Sequence, residues 1–323
     1  QYIGSTIEQT NARLISVDFD PNLVWKDLDQ LLYYHDEPVH SATAFVGFKI
    51  MEAAASNGVK VMLNGQGADE TLAGYPSYFG NYWHTLLMNG QLGYLGSQLQ
   101  AYGQEFGGSA AARMLQLLAN ALKAGLSQMA AYRRLARWRN RNNVDRLGWY
   151  SESFQAQLDH SDRGPWQLSL DDALRDSIEK DLLPIYLRVE DRNSMAHSVE
   201  ARLPFLDYRI VQLALNLPPD WKMRGPFNKY VLRAAMKGRI PDSVRTRIDK
   251  FGFPVPIDRW FRETELYELM QDLVTSREFI DSGVYNVKKL RSAVNLHYEG
   301  KMNCGSELFD VLQFEVWRKL ATG

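Results

Sequence analysis

A glycine-containing turn follows a short strand pattern in the first quarter of the chain. The strand pattern Val59–Leu63 runs directly into a turn with Gly65 and Gly67, and Asp69 and Glu70 come next. Ligands of open parallel sheets bind beyond the carboxyl ends of strands, and glycines let backbone N–H groups approach a phosphate closely. Carboxylates beside a phosphate suit Mg²⁺. The turn is therefore a candidate nucleotide and magnesium site, and a plain turn whose carboxylates complement a helix N-terminus explains the pattern equally well.

A second segment, Leu187–Asp207, mixes charges of both signs with apolar residues. Eight of its 21 residues are Asp, Glu, Arg or His. Because buried charges need partners, this pattern predicts a polar network across a pair of helices. Such a network suits a zwitterionic amino acid, since Arg binds a carboxylate and Asp or Glu binds an ammonium group. A purely structural ion-pair network fits the charge pattern slightly better, and His197 is interpreted as an interior histidine.

A third segment carries Lys250. Pro254 and Pro256 follow it and forbid a regular helix, so the lysine is predicted to lie on a stiff loop beside Phe251 and Phe253. A lysine held in this way can place positive charge beside a phosphoryl group during reaction. Taken alone, an ordinary surface lysine in a turn is the more common case.

The elements that must position these segments are predicted from periodicity. Two strand patterns occur in residues 1–85, at Arg13–Val17 and Val59–Leu63. Two amphipathic helix patterns occur in the same part, at Leu23–Tyr34 and Ser41–Ser56. Strands separated by helices indicate a parallel sheet with crossover helices. The polar residues directly after Gln1 also look strand-like.

The rest of the chain is predicted to be helical. Residues 86–175 form a helical insertion with no chemical motif, and residues 176–323 form a helical part that completes the site. The basic stretch Arg133–Arg141 is interpreted as a solvated helix face, with a nucleic-acid patch as the alternative. Asn228 is predicted to cap a helix that ends at Gly238 and Pro241.

Composition excludes several classes of protein. Among 323 residues, 45% are hydrophobic and 23% are charged, and the formal net charge is −1, so the chain as a whole shows no attraction to nucleic acid or to a membrane surface. The single cysteine, Cys304, excludes an internal disulfide framework and suits a cytoplasmic protein. The sequence starts at Gln1 without a Met, from which we expect a piece of a longer protein. Homo-oligomerisation is left open.

Together, the three segments resemble the synthetase domain of glutamine-dependent asparagine synthetases. The similarity extends from Asp36 to Phe261. The residues that carry it are Asn64–Glu70 with Gly74-Tyr75, Ser194–Ala196 with Glu200–Asp207, and Lys250–Pro254. The resemblance implies an α/β fold with a parallel sheet of the ATP-pyrophosphatase type and a large helical C-terminal part.

The resemblance also implies a reaction. The side-chain carboxylate of aspartate attacks the α-phosphate of ATP, giving a β-aspartyl adenylate and pyrophosphate with the help of Mg²⁺. Ammonia, supplied by a glutaminase domain of the same full-length chain, then displaces AMP to give asparagine.

Roles follow by position in the motifs. Metal binding is implied for Asp69 and Glu70, and stabilisation of phosphoryl charge for Lys250. Nucleotide contact is implied for four residues at the end of the first strand and in the turn, and for two residues of the second segment. These residues are Leu63, Asn64, Gly65 and Gly67, and Asp191 and Arg192. Glu200 and Arg202 are implied to shape the aspartate and nucleotide pocket.

Two departures from the family pattern affect these roles. The phosphate loop of the form Ser-Gly-Gly-x-Asp-Ser and the glutaminase domain are absent from the 323 residues, so this piece alone is expected to be inactive. Gln66 stands where some members carry a Glu that is thought to accept a proton as ammonia attacks. Because an amide is not a base, either another group takes that proton or the acceptor differs.

Three other functions are compatible with the sequence. A related adenylating enzyme could amidate a sugar or another carboxylate, or close a lactam or peptide ring. A non-catalytic scaffold could retain the fold, and a nucleic-acid binder could use Arg133–Arg141.

Overall fold

The computed structural model describes residues 2–17, 21–127, 147–157, 169–249, 252, 255–263 and 265–322, with residues 21–25 and 123–127 described by backbone alone. The first part of the chain is mainly helical. Its elements are α1 (Tyr2–Thr10), α2 (Pro21–His35), α3 (Thr43–Ser56), β1 (Val61–Leu63), α4 (Ala68–Thr71), α5 (Tyr78–Met88), α6 (Leu92–Phe106), α7 (Ala110–Ser127), α8 (Glu152–Gln155) and α9 (Leu170–Glu179).

The second part continues in the same way, with one further strand and a 3₁₀ turn at Pro204–Leu206. Its elements are α10 (Leu182–Ala196), β2 (Glu200–Arg202), α11 (Tyr208–Asn216), α12 (Pro219–Lys222), α13 (Tyr230–Ala235), α14 (Asp242–Arg245), α15 (Ile257–Glu263), α16 (Leu266–Thr275), α17 (Arg277–Asp281), α18 (Val287–Tyr298) and α19 (Gly305–Thr322).

The predicted fold class is confirmed: the molecule is a mostly helical α/β structure with a small parallel sheet. Strands β1 and β2 pair in parallel, with Val61 opposite Glu200 and Leu63 opposite Arg202. The ladder extends by one bond beyond β1, where the Asn64 N–H donates to the Arg202 carbonyl at 2.9 Å. This arrangement is consistent with the ATP-pyrophosphatase type of fold.

The strand predicted at Arg13–Val17 is wrong. Residues 12–17 have no regular structure, and Leu14 is 58% exposed. A strand needs a partner for its backbone groups, and within the described residues no strand pairs with this segment. The strand-like appearance of the first residues is also wrong, because they form α1, whose Tyr2 ring lies 4.4 Å from the Arg247 guanidinium.

Both helices predicted in the first part are confirmed within a few residues. Each buries one apolar stripe in the main core, and helix α3 buries Phe45 and Phe48 completely. The same core contains much of α15 to α19 and is continuous with α2. These helices form the body on which the sheet rests.

The described part of residues 86–175 is mainly helical, with short connections and an antiparallel bridge between Tyr150 and Tyr285. Helices α5, α6 and α9 form a second core around Tyr82, which is fully buried. The basic stretch Arg133–Arg141 lies outside the described residues. In the described part of the chain, no helix has the length and apolar character required to cross a membrane.

The second chemical segment is a helix followed by a strand, rather than the predicted pair of helices. Glu200, Ala201 and Arg202 are good helix formers, so local propensity gives no sign of β2. Pairing with β1 across more than a hundred residues overrides that propensity.

The cap predicted at Asn228 is also wrong. The side chain of Asn228 donates to the Gly74 carbonyl and accepts from Arg233, so it is not available to cap α13. Lys229 occupies the N-cap position with φ +48° and makes no side-chain capping bond. The helix does end before Gly238 and Pro241, as expected.

Candidate functional site

The turn after β1 has a backbone conformation that requires glycine. Gly67 has φ +86° and forms the N-cap of α4. A Cβ at this position would also lie 2.6 Å from Cγ of Leu206. The turn therefore packs tightly against the 3₁₀ turn Pro204–Leu206 and cannot accept a side chain at its second glycine.

Asp69 is held from two sides. Its Oδ1 accepts a bond from Lys229 Nζ at 3.0 Å, and both side chains remain about a quarter exposed. On the other side, a Cβ at Gly74 would lie 2.6 Å from the Asp69 Cγ and 2.8 Å from its Cα. Gly74 thus allows the backbone to pass directly against the carboxylate, which fixes its position.

Glu70 points into the protein and is only 1% exposed. Its Oε1 accepts a bond from the Tyr75 hydroxyl at 2.6 Å. Burial and the neighbouring Glu70 carboxylate raise the pKa of Tyr75, so this phenol stays a donor. Of the two carboxylates predicted to hold a metal, Asp69 is the one that remains accessible.

A magnesium ion is compatible with this arrangement only if most of its ligands come from elsewhere. The described residues contain no group of three or more His, Cys, Asp or Glu side chains placed to bind a metal. Mg²⁺ is usually bound by one or two carboxylates together with substrate phosphates and water. Asp69 fits that pattern, since its carboxylate is fixed and partly open.

Asn64 links the turn to helix α10. Its amide donates to Oε1 of Glu190 at 2.5 Å, while its backbone N–H is bonded to β2. Glu190 is 9% exposed, and burial raises the pKa of its carboxyl, opposed by the Asn64 bond. A buried acid therefore stands next to the carboxyl end of β1.

Asp191 and Arg192 lie on another side of α10. Both are exposed, and the Arg192 guanidinium donates to the Tyr34 carbonyl at 3.3 Å. Among the described contacts, neither side chain bonds to the turn. The structure places Glu190, the residue just before them, against Asn64 instead.

Glu200 and Arg202 stand on the exposed face of β2. They form an ion pair at 2.8 Å, with side chains that are 56% and 60% exposed. Arg202 is the register partner of Leu63, which is 70% exposed on the neighbouring strand. The structure thus brings Leu63, Glu200 and Arg202 together beside the turn, on a face open to a ligand.

Gln66 and Gly65 form the outer part of the turn. Gln66 is partly exposed, and a Cβ at Gly65 would meet no atom within 4 Å. Gly65 has an ordinary backbone conformation, so the described structure does not require glycine there.

Lys250 lies outside the described residues, so its proposed role remains a prediction. The chain that leads to it is well anchored: the Arg233 guanidinium donates to the carbonyls of Arg245 and Arg247 at 2.7 and 2.6 Å. The same side chain binds Asn228 next to Lys229. Arg233 thereby ties the segment before Lys250 to the segment that contacts Asp69.

His197 is only partly buried, and its Nε2 has no hydrogen-bond partner among the described residues, so the interpretation as an interior histidine is only partly right. Its ring packs edge-on against Phe48 at 4.3 Å, and burial lowers the pKa of the imidazole. It has no contact with the turn in the described structure.

Three features of this region were not predicted from the sequence. They are the contact of Lys229 with Asp69, the contact of Glu190 with Asn64, and the close approach of the Gly74 backbone to Asp69. Glu190 carried a weak signal, because it directly follows the apolar residue Val189 and lies one turn after Tyr186 on the same side of the helix. Lys229 carried none, since its partner Asp69 is 160 residues away.

Comparison with known proteins now assigns the family. The family model described as asparagine synthase matches residues 1–319. The chain belongs to the asparagine synthase family.

Curated relatives agree with the asparagine synthase assignment. Asparagine synthetase [glutamine-hydrolyzing] 1 of Bacillus subtilis is 31% identical over 130 residues, which are 40% of this chain and 20% of that protein. A putative asparagine synthetase [glutamine-hydrolyzing] of Mycobacterium bovis is 32% identical over the same shares. Amidase chyE of Penicillium rubens is 23% identical over 90% of this chain and 47% of its own length. The matched part of the chain thus spans a fifth to about half the length of these relatives.

Proposed function

We propose that this chain is the synthetase part of a glutamine-dependent asparagine synthetase. In this proposal, ATP adenylates the side-chain carboxylate of aspartate, and ammonia from a glutaminase domain of the full-length chain converts the adenylate to asparagine. The observation that supports it best is the meeting of the glycine turn with Arg202 at the carboxyl ends of two parallel strands, where Glu200 is ion-paired to Arg202. This is where such folds bind their ligands.

The open face of the sheet supplies complementary groups for the two substrates. Leu63 offers an exposed apolar surface next to the turn, which suits an adenine ring, and Asn64 and Gly65 offer backbone groups to the adenosine. Arg202 and Glu200 are exposed charges of opposite sign, which suit the carboxylate and ammonium of aspartate. Binding both substrates on one rigid edge supplies orientation, a large part of the rate enhancement in such transfers.

Asp69 is the residue that would hold Mg²⁺ on the phosphates of ATP. When bound, the ion would neutralise charge on the departing pyrophosphate. Lys229 already balances the Asp69 carboxylate, and Lys250 is proposed to add positive charge at the α-phosphate. Glu70 is proposed to support Asp69 through the buried bond with Tyr75 rather than to contact the ion.

The test is an assay of the full-length protein with ATP, MgCl₂, aspartate and either glutamine or ammonium chloride. We expect asparagine, AMP and pyrophosphate in equal amounts. ATP consumption that depends on another carboxylate and not on aspartate would contradict the proposal.

A related amidotransferase acting on another carboxylate is the second candidate. It is favoured by the alignment with amidase chyE, which extends over 90% of this chain, and by Gln66 in the turn. A panel of carboxylates in the same ATP-consumption assay separates the two candidates. Binding of neither ATP nor aspartate in calorimetry would instead indicate a scaffold.

A further inference from the structure

Amide formation from ammonia requires a base. When the nitrogen of NH₃ bonds to an acyl carbon it becomes positively charged, and a proton must leave before a neutral amide can form. The turn of this chain offers two amides, Asn64 and Gln66, and neither can accept a proton at neutral pH. This reasoning rests on the proposed function, in which ammonia attacks an acyl adenylate.

Most carboxylates near the turn are already engaged. Asp69 is paired with Lys229, Glu70 is enclosed with the Tyr75 hydroxyl, and Glu200 is paired with Arg202. Each of these carboxylates already has an oxygen bonded to a neighbouring donor, so it is less available to take a proton from ammonia.

Glu190 differs from these three. Its side chain comes from α10, reaches the end of β1 and is bonded to Asn64 at 2.5 Å. Asn64 is its only hydrogen-bond partner among the described residues, and no cation of those residues forms an ion pair with it. Burial raises the pKa of Glu190, which makes the ionised carboxylate a stronger base than a surface glutamate.

We propose that Glu190 is the general base that accepts the proton of the attacking ammonia. The nitrogen lone pair forms the C–N bond to the acyl carbon, and the carbonyl π electrons move to oxygen. One N–H proton passes to a carboxylate oxygen of Glu190. The carbonyl then re-forms and expels AMP with the electron pair of the C–O bond, after which Glu190 releases its proton to water.

Asn64 holds this base in place. Its amide donates to one carboxylate oxygen, and its backbone N–H is fixed by the Arg202 carbonyl at the end of the sheet. The base is thus carried by a helix behind the turn, whereas residue 66 within the turn is an amide. The competing explanation is that the Asn64–Glu190 bond only ties α10 to β1.

The substitution Glu190→Gln separates these explanations, since a glutamine carbonyl can still accept from Asn64 but the side chain is no longer basic. Rapid-quench measurements on the full-length protein, with ATP, MgCl₂, aspartate and ammonium chloride, should follow both half-reactions. We expect the first-turnover burst of pyrophosphate to be unchanged and amide formation to fall on the order of 100-fold. The matched control Glu179→Gln, an exposed carboxylate on α9, should change neither half-reaction.

A relocation variant sharpens the test. Combining Glu190→Gln with Gln66→Glu returns a carboxylate to the turn, and we expect it to recover at least a tenth of the wild-type rate of amide formation. If Glu190→Gln does not fold, Glu190→Asp replaces it in the test. The shorter side chain keeps a carboxylate but holds it further from the attacking nitrogen, so amide formation should slow relative to the pyrophosphate burst.

Three results would overturn the assignment of Glu190: wild-type amide formation in folded Glu190→Gln, loss of the pyrophosphate burst in that variant, or an unaltered ratio of the two half-reactions in Glu190→Asp. The absence of any aspartate-dependent burst in the wild-type protein would instead remove the proposed function itself. The two failures are therefore distinguishable.

Discussion

Two clusters of ionisable residues in this molecule look equally reactive by residue type. One lies at the ends of β1 and β2 and includes Asp69, Lys229 and Glu190. The other lies in the C-terminal core, where His297 Nδ1 is 3.7 Å from Cys304 Sγ and 3.9 Å from Asp258 Oδ1. A Cys, a His and an Asp together suggest a nucleophilic site.

In the core cluster, both ring nitrogens of the histidine are hydrogen-bonded to backbone groups. His297 Nε2 donates to the Asp258 carbonyl at 2.9 Å, and its Nδ1 accepts the Cys304 N–H at 3.0 Å. His297 and Cys304 are both 1% exposed, and burial raises the pKa of the Cys304 thiol to about 12. The site at the strand ends keeps accessible charges and a carboxylate with one partner. Access and unused bonding capacity, rather than residue type, distinguish a site from a structural cluster.

The largest effect is expected at Gly74. In Gly74→Ala, the new methyl group would overlap the Asp69 carboxylate and push it away from its position. We expect adenylation, measured as aspartate-dependent pyrophosphate release, to fall by on the order of 100-fold, because small displacements of catalytic groups are costly. Gly80→Ala, at a position where a Cβ meets no atom within 4 Å, is the control and should retain activity. Full activity of Gly74→Ala would show that the position of Asp69 is unimportant.

A smaller effect is expected at Lys229. In Lys229→Gln, Asp69 loses a positive partner at 3.0 Å that is about three quarters buried. Loss of an interaction worth about 1.4 kcal/mol corresponds to about a tenfold rise in the KM for ATP. Lys180→Gln, on the exposed surface, is the control and should leave KM unchanged. A KM for ATP that does not change in Lys229→Gln would indicate that the ion pair has no part in substrate binding.

The buried histidines should give a pH-dependent stability without a role in chemistry. His35 is bonded to Asn193 at 2.9 Å, and burial lowers the pKa of its imidazole below the ordinary 6.5. Since the unfolded chain then binds the proton more tightly, the stabilisation is complete above pH 6.5 and is lost as the pH falls below that value. We expect the free energy of unfolding to fall by about 1 kcal/mol between pH 7 and pH 5, as measured by urea titration. A His35→Gln variant should show a smaller decrease; an equal decrease would assign the effect to other groups.

The smallest effect on activity is expected at Cys304. Cys304→Ala removes a buried thiol, so the free energy of unfolding should fall by about 1 kcal/mol. The rate of asparagine formation should stay the same, and the wild-type thiol should react with iodoacetamide only after unfolding. Loss of activity in a folded Cys304→Ala protein would contradict the interpretation of the core cluster as structural.

The local parts of the fold were predictable from the sequence. Apolar spacing placed α2 and α3, and the two glycines after Leu63 placed the turn and the start of α4 correctly. These features depend on residues a few positions apart, for which periodicity and glycine chemistry are informative.

The non-local parts were not predictable in the same way. Strand β2 consists of Glu200, Ala201 and Arg202, whose preferences point to a helix, and only its pairing with β1 makes it a strand. The contacts of Asp69 with Lys229 and of Asn64 with Glu190 join residues 160 and 126 positions apart. The family motifs pointed to Asp69 and Asn64 but not to their partners Lys229 and Glu190, because tertiary packing decides which residues meet.

The order in which the molecule folds follows from its two short strands. Residues 64–199 separate β1 from β2, so closing this loop carries a large entropic penalty that only later contacts can offset. On a ribosome, β1 and the turn would emerge long before their partner is synthesised. The edge proposed to bind the substrates is therefore expected to become ordered among the last parts of the domain, after both helical cores have formed.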